Sequence, residues 1–241
     1  MALLIAGLPV VAVAVLAVEV HLARTGEMLD DAPLDLGGRV GQAPGAALDV
    51  VWLGDSTAAG VGASSVADAL PTVVARAAER PVELRVLARS GATVADVVKH
   101  QVPALAGEDP DVVFVSVGAN DVTHLISRSG FERRYRQLVE GLPAGSKVVL
   151  LGVPDMGAIP RLAQPLRAIA GFRGRQLDEV VRAVAHDTGS AYVDIAGETG
   201  PPLRADPGRY FAADEYHPSD AGYQLWAEAV IDVRRSAMLS R

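Results

Sequence analysis

Five short aliphatic runs alternate with stretches of helical period, and this alternation restricts the fold more than any other feature. The runs cover residues 48–53, 82–88, 112–117, 147–153 and 191–195. Each is rich in Val and Leu and is bounded by Gly, Pro, Asp or Ser, as strands are. Near-continuous apolar runs suit strands covered on both faces, as in a parallel sheet. Between them, apolar residues recur every three to four positions: Val66, Ala69, Leu70, Val73, Val74 and Ala77 in one stripe, Phe131, Tyr135, Leu138, Val139 and Leu142 in another. Leu177, Val180, Val181 and Val184 form a third, and Gly222, Leu225, Trp226, Ala229, Val230 and Val233 the last. A weaker helix is expected over 93–102. Five strands, each followed by a helix, imply one doubly wound α/β domain over 47–241.

The first eighteen residues do not belong to that pattern. They are apolar and uncharged, and as a helix they would span about 27 Å, close to the hydrocarbon thickness of a bilayer. Residues 1–24 therefore read as a membrane anchor or signal segment, with the remainder in the cell envelope on the extracytoplasmic side. The anchor reading leads because no basic residue precedes the run and no small-x-small cleavage site follows it. Residues 25–46 are polar and contain Gly and Pro without period, which reads as a linker. Half of the 241 residues are hydrophobic, too many for a disordered chain. A net charge of −7 argues against a nucleic-acid partner. The absence of cysteine removes disulfides, thiolate metal sites and a thiol nucleophile.

Open parallel sheets bind ligands beyond the C-terminal ends of their strands. The residues at those ends carry chemistry: Gly54-Asp55-Ser56 after the first run, Ser90-Gly91 after the second, Gly118-Ala119-Asn120-Asp121 after the third. Asp214 and His217 follow the fifth run after a long loop. A serine hydroxyl needs a base to become a nucleophile, and histidine suits that task near neutral pH. The histidine needs a carboxylate to fix its tautomer, and Asp214 is one turn away. A developing oxyanion needs donors already in place; the N–H groups of Ser56 and Gly91 and the Asn120 amide are candidates. Each piece has a plainer structural use. Gly-Asp-Ser makes turns, Asn120 and Asp121 cap helices, and His217-Pro218-Ser219 reads as a helix entry. Met156, Ile159 and Leu162 lie in a proline-bounded loop, 154–165, that reads either as an apolar wall for an acyl chain or as ordinary packing. His124, just past Asn120, is a further candidate for the lining of the site. No metal-binding motif is present.

These four motifs, in this order, resemble the SGNH subfamily of GDSL esterases and lipases. The resemblance runs from about Leu48 to Val233. It implies a flavodoxin-like three-layer α/β/α sandwich with a five-stranded parallel sheet. It also implies a serine ester hydrolase acting without cofactor: Ser56 as nucleophile, His217 as base, Asp214 as orienter, and Ser56, Gly91 and Asn120 as oxyanion hole. The substrate would be a small-molecule or lipid ester. Thr57 departs from the leucine of the name-giving motif at a position that does no chemistry. Two other readings stay open. One is a non-catalytic, membrane-anchored binding or scaffold protein of the same fold. The other is a nucleotide-binding domain, suggested by Gly60-Val61-Gly62 but lacking the third glycine and the acidic partner.

Overall fold

The computed structural model describes Val18, Glu19, Leu29, residues 34–42 and residues 44–239. The apolar segment expected as an anchor lies, but for Val18, outside the described residues. Among the described residues no helix is long and apolar enough to cross a membrane.

Six strands form one sheet: β1 (Gly38–Val40), β2 (Leu48–Gly54), β3 (Val82–Val86), β4 (Val112–Ser116), β5 (Lys147–Leu151) and β6 (Ala191–Val193), in the order β1-β3-β2-β4-β5-β6. The five strands read from the sequence are mutually parallel. The sixth corrects the five-stranded expectation. β1 pairs antiparallel with β3 at the sheet edge, so the stretch expected as a linker contributes a strand. Leu36, just before it, is buried and packs near Gly60. Three residues with a glycine first are too few to show period 2, so β1 leaves no trace in the pattern. Its pairing places Arg39 opposite Glu83, and the two form an ion pair of 3.1 Å on the exposed edge.

Strand alternation divides the core between the two faces of the sheet. Val51, Leu53, Val113, Val115 and Leu150 join one hydrophobic cluster, while Val50, Trp52, Phe114, Val149 and Leu151 join the other. Trp52 and Phe114 stack face to face across β2 and β4, their centroids 4.5 Å apart. Helix α1 (Leu70–Arg76) covers the Trp52 face, and α2 (Val94–Asp96) begins the cover of the opposite face. That cover continues with α3 (Ala119–Thr123), α4 (Arg128–Glu140) and α5 (Leu166–Thr188). Helices α6 (Ile195–Ala205) and α7 (Pro207–Tyr210) follow β6, and α8 (Asp220–Leu239) packs on the Trp52 face. Three layers result.

Two segments depart from the helical pattern expected of them. The weak helix over 93–102 is a single turn, Val94–Asp96, followed by a π-turn, Val97–Gln101, and a 3₁₀ turn, Val102–Leu105. Thr93 and Asp96 start it with a reciprocal capping box. The loop expected after β6 contains α6 and α7; Pro201 and Pro202 inside α6 hide its helical signal.

Candidate active site

β2 ends at Gly54, with φ of 151°. A Cβ there would stand 2.0 Å from the Ser116 carbonyl oxygen, so only glycine lets the chain turn off the sheet at this point. The Gln101 side chain clamps the same residue. Its amide donates to the Gly54 carbonyl and accepts the Gly54 N–H, both at 2.8 Å, in a fully buried setting. The π-turn thus delivers a polar side chain to the end of β2; π-turns gather at functional sites for this kind of reason. Asp55 then accepts the Thr57 N–H (3.0 Å) and hydroxyl (2.9 Å) through Oδ1, which fixes the tight turn carrying Ser56. Burial pushes the Asp55 carboxyl up, partly opposed by these bonds.

Ser56 Oγ lies 3.1 Å from His217 Nε2, and His217 Nδ1 lies 2.6 Å from Asp214 Oδ2. All three residues are buried. Asp214 Oδ1 accepts the N–H groups of Tyr216 and His217, both at 3.0 Å. Burial raises the Asp214 carboxyl, but the bond from the His217 ring and the two backbone bonds outweigh it, and the net position is below the ordinary value. Local backbone geometry holds the pair. Glu215 adopts a positive φ of 57°, and Arg161 donates to the Asp214 carbonyl (2.9 Å) and, through its N–H, to the Glu215 carbonyl (3.1 Å). Gly62 completes the support: a Cβ there would meet the Pro218 carbonyl oxygen at 2.4 Å. Of the glycines that suggested a nucleotide loop, Gly62 is thus used for close packing against the histidine turn, and Gly60 for packing against Ala69 and Leu36.

Asn120, in the first turn of α3, donates from Nδ2 to the Ala92 carbonyl (3.0 Å), which ties it to the turn after β3 and leaves its second amide N–H. Gly91 sits in that turn, exposed, with φ of 74°. Beside Ser56 is a cleft of about 40 Å³; Met156, Ile159, Leu203 and Phe211 give it an apolar wall, with Asn120 and His217 on its polar side. Met156 and Ile159 are buried, as is Leu162. His124 is exposed, its Nδ1 2.7 Å from the Asn120 carbonyl, and it is not among the residues lining this cleft. A larger cavity, about 550 Å³, opens at the opposite edge of the sheet around Trp52 and Phe114, away from the Ser56–His217–Asp214 chain. Gln101 and Arg161 support the site without any motif to announce them. Their only mark in the sequence is a polar side chain in a largely apolar segment.

Asp121 is fully buried behind Asn120, with Oδ2 accepting the Val94 N–H at 3.0 Å and Oδ1 unpartnered among the described residues. Burial pushes its carboxyl up to about 6, and the nearby Asp55 adds to the rise. An acid whose value is raised on folding destabilises the fold as pH climbs from its unfolded value towards its folded one. Between about pH 4 and pH 7 this costs on the order of 3 kcal/mol. Asp121→Asn is expected to be nearly neutral in acid and to gain on the wild type as pH rises through 6. Urea midpoints across that range measure it, and parallel curves for the two proteins would contradict it.

A serine, histidine and aspartate joined by two hydrogen bonds at the carboxyl edge of a parallel sheet form the constellation of serine hydrolases. Residues 52–225 match the model of the GDSL-like lipase/acylhydrolase family, and the chain belongs to that family. It is 33% identical over 194 residues to the GDSL-like esterase Rv1075c of Mycobacterium tuberculosis, a match covering 78% of this chain and 62% of that esterase. Among solved structures it is similar to the lipase/acylhydrolase from Enterococcus faecalis, with a TM-score of 0.63, 22% identity, and coverage of 79% of this chain and 96% of that one. Phospholipase A1 from Streptomyces albidoflavus NA297 gives a TM-score of 0.58 at 24% identity, covering 79% and 99%. The two structural likenesses concern the fold.

Proposed function

We propose that the chain is a carboxylic ester hydrolase working through an acyl-enzyme on Ser56. The hydrogen-bond chain from Ser56 through His217 to Asp214 carries this reading. Ser56 Oγ gives its proton to His217 Nε2 and attacks the ester carbonyl. The tetrahedral oxyanion is held by the N–H groups of Ser56 and Gly91 and the free N–H of the Asn120 amide. His217 passes the proton to the departing alkoxide, leaving the acyl group on Oγ. A water then loses a proton to His217, attacks the acyl carbon, and releases the acid as Ser56 regains its proton. Asp214 holds the imidazole in the tautomer with Nδ1 protonated and stabilises the imidazolium that forms twice per cycle.

Asn120→Ala removes one oxyanion donor and is expected to lower kcat by about 10²–10³-fold with a much smaller change in KM. Steady-state kinetics on a p-nitrophenyl ester reads this, and a change confined to KM would remove Asn120 from the oxyanion hole. The apolar wall makes a second demand. Each methylene of the acyl chain that reaches Met156, Ile159, Leu203 or Phe211 gains up to about 0.8 kcal/mol, or roughly fourfold in kcat/KM. Activity on p-nitrophenyl esters is therefore expected to rise from acetyl to butyryl and to level off once the chain outgrows the cleft. A steady fall from acetyl to octanoyl would show that this wall does not take the acyl group, and no turnover of any ester would overturn the hydrolase reading.

A further inference from the structure

We propose that the surface around Leu125, Ile169 and Phe172 docks on an anionic lipid bilayer, with the Ser56 cleft at its border. Few large apolar side chains are exposed on the described chain, and Val18, Leu125, Ile169 and Phe172 are four of the five. They are not scattered. Ile169, Phe172 and Arg173 lie on neighbouring rows of α5, three and four residues apart. Arg173 reaches across to donate to the Val122 carbonyl (3.4 Å) and the Ile126 carbonyl (2.9 Å), which bracket Leu125. Glu19, the neighbour of Val18 in the chain, meets the start of the same helix, where its carboxylate accepts the Leu166 N–H at 3.0 Å.

Leu125 is the most exposed of these side chains, at 69%, and has a φ of 55°. That backbone conformation is unfavourable for a leucine, so the chain is held in an uncommon geometry at the point where it leaves an apolar side chain in water. Isolated exposed leucines need no explanation, but a contiguous group does.

Two further observations select a lipid surface as the occupant. The first is charge. Residues 122–136 and 161–175 together carry eight arginines and one glutamate, in a chain whose net charge is −7. Arg128 and Arg136 among them are ion-paired with Glu179, Glu132 and Asp187, and Arg161 is turned to the Asp214 carbonyl. Arg133, Arg134 and Arg175 are exposed and, with Arg173, leave these two segments basic, which matches an anionic bilayer. The second is where the rest of the chain begins. The seventeen residues before Val18 contain no charge and are apolar throughout, and they lead into the structure at Leu166. A chain held in a bilayer through that segment brings α5 to the lipid surface first.

The cleft borders this face on two sides. Leu125 follows α3, the helix whose first turn carries Asn120. The loop carrying Met156 rests directly on α5: a Cβ on Gly174 would stand 3.0 Å from Met156 Cγ, and one on Gly171 3.0 Å from the Gly157 Cα. The loop that carries Met156 therefore lies against the buried side of the helix whose exposed side docks.

The test needs no catalytic activity. The chain has no cysteine, so Phe172→Cys, Leu125→Cys and, as control, Glu79→Cys each provide one attachment point for an NBD fluorophore. Glu79 is exposed just beyond α1, on the far side of the sheet. The full-length labelled proteins are placed in vesicles of phosphatidylcholine and phosphatidylglycerol doped with doxyl lipid. Quenching at positions 125 and 172 is expected to exceed that at 79 by about twofold or more, and to weaken in vesicles of phosphatidylcholine alone. Equal quenching at all three positions would mean a tether without a docked face, and would overturn the proposal. Equal quenching with and without phosphatidylglycerol would overturn its anionic part. Shielding of position 172 in the absence of lipid, growing with protein concentration, would assign the face to a second copy of the chain instead.

Discussion

Ser56→Ala and His217→Ala are each expected to lower kcat for ester hydrolysis by on the order of 10⁶-fold, with the double variant no slower than either. The two side chains act as one unit, since the hydroxyl attacks only while Nε2, 3.1 Å away, takes its proton. Removing either leaves the donors that surround the carbonyl, and the residual rate belongs to them. The effect on folding is small by comparison. Ser56 loses one neutral hydrogen bond, worth about 0.5–1.5 kcal/mol, so its melting curve should move by a few degrees at most. Single-turnover assays on the purified variants decide the matter. Additive losses in the double variant would separate the two residues into independent roles, and retained turnover in Ser56→Ala would place the nucleophile elsewhere.

The second large effect is that of Asp214→Asn, expected to lower kcat by about 10⁴-fold while leaving the fold in place. Oδ1 of Asp214 accepts two backbone N–H groups, from Tyr216 and His217. An asparagine must keep its oxygen there, because its NH₂ group cannot accept. The NH₂ is then turned towards His217 Nδ1, which must become an acceptor. The proton of the neutral ring moves to Nε2, and Nε2 can no longer take the Ser56 proton. Asp214→Ala lacks this reversal and is expected to lose less than the asparagine, which a comparison of kcat for the two variants will show. The lowered Asp214 carboxyl also has a stability consequence. An acid held below its unfolded value stabilises the fold above the ordinary carboxylate range, and that contribution is lost as pH falls through its folded value. Acid sensitivity of this turn thus runs opposite to that of Asp121, whose penalty grows as pH rises.

The parallel strands and the residues that follow them are legible in the sequence for one reason. A strand buried on both faces must be continuously apolar, so β2, β4 and β5 stand out, and the first polar residues after them mark the ligand edge. Ser56 and Asn120 are picked out that way, whereas Asp214 and His217 lie beyond two helices after β6 and are picked out by their own spacing of three. What escapes is structure made by tertiary contact. β1 exists because its backbone pairs with β3, and its own three residues carry no period. α6 exists in spite of two prolines. Gln101 and Arg161 matter through the carbonyls they reach at Gly54 and Asp214, and a side chain's reach to a distant carbonyl has no local signature. Gly62 is the instructive case. Its glycine is legible, but its reason, the approach of the Pro218 carbonyl, belongs to a segment more than 150 residues away in the chain.

The reading of this chain as an ester hydrolase stands on an activated serine, and labelling by a fluorophosphonate measures that directly. The probe forms a covalent bond only with a hydroxyl whose proton is drawn away and whose attacking geometry is in place. Intact mass of the folded protein should show one adduct, and peptide mapping should place it on Ser56. Ser56→Ala should take none, and Asp214→Asn should label far more slowly. Folded wild-type protein that stays unlabelled, or that labels equally well without Ser56, would contradict the assignment.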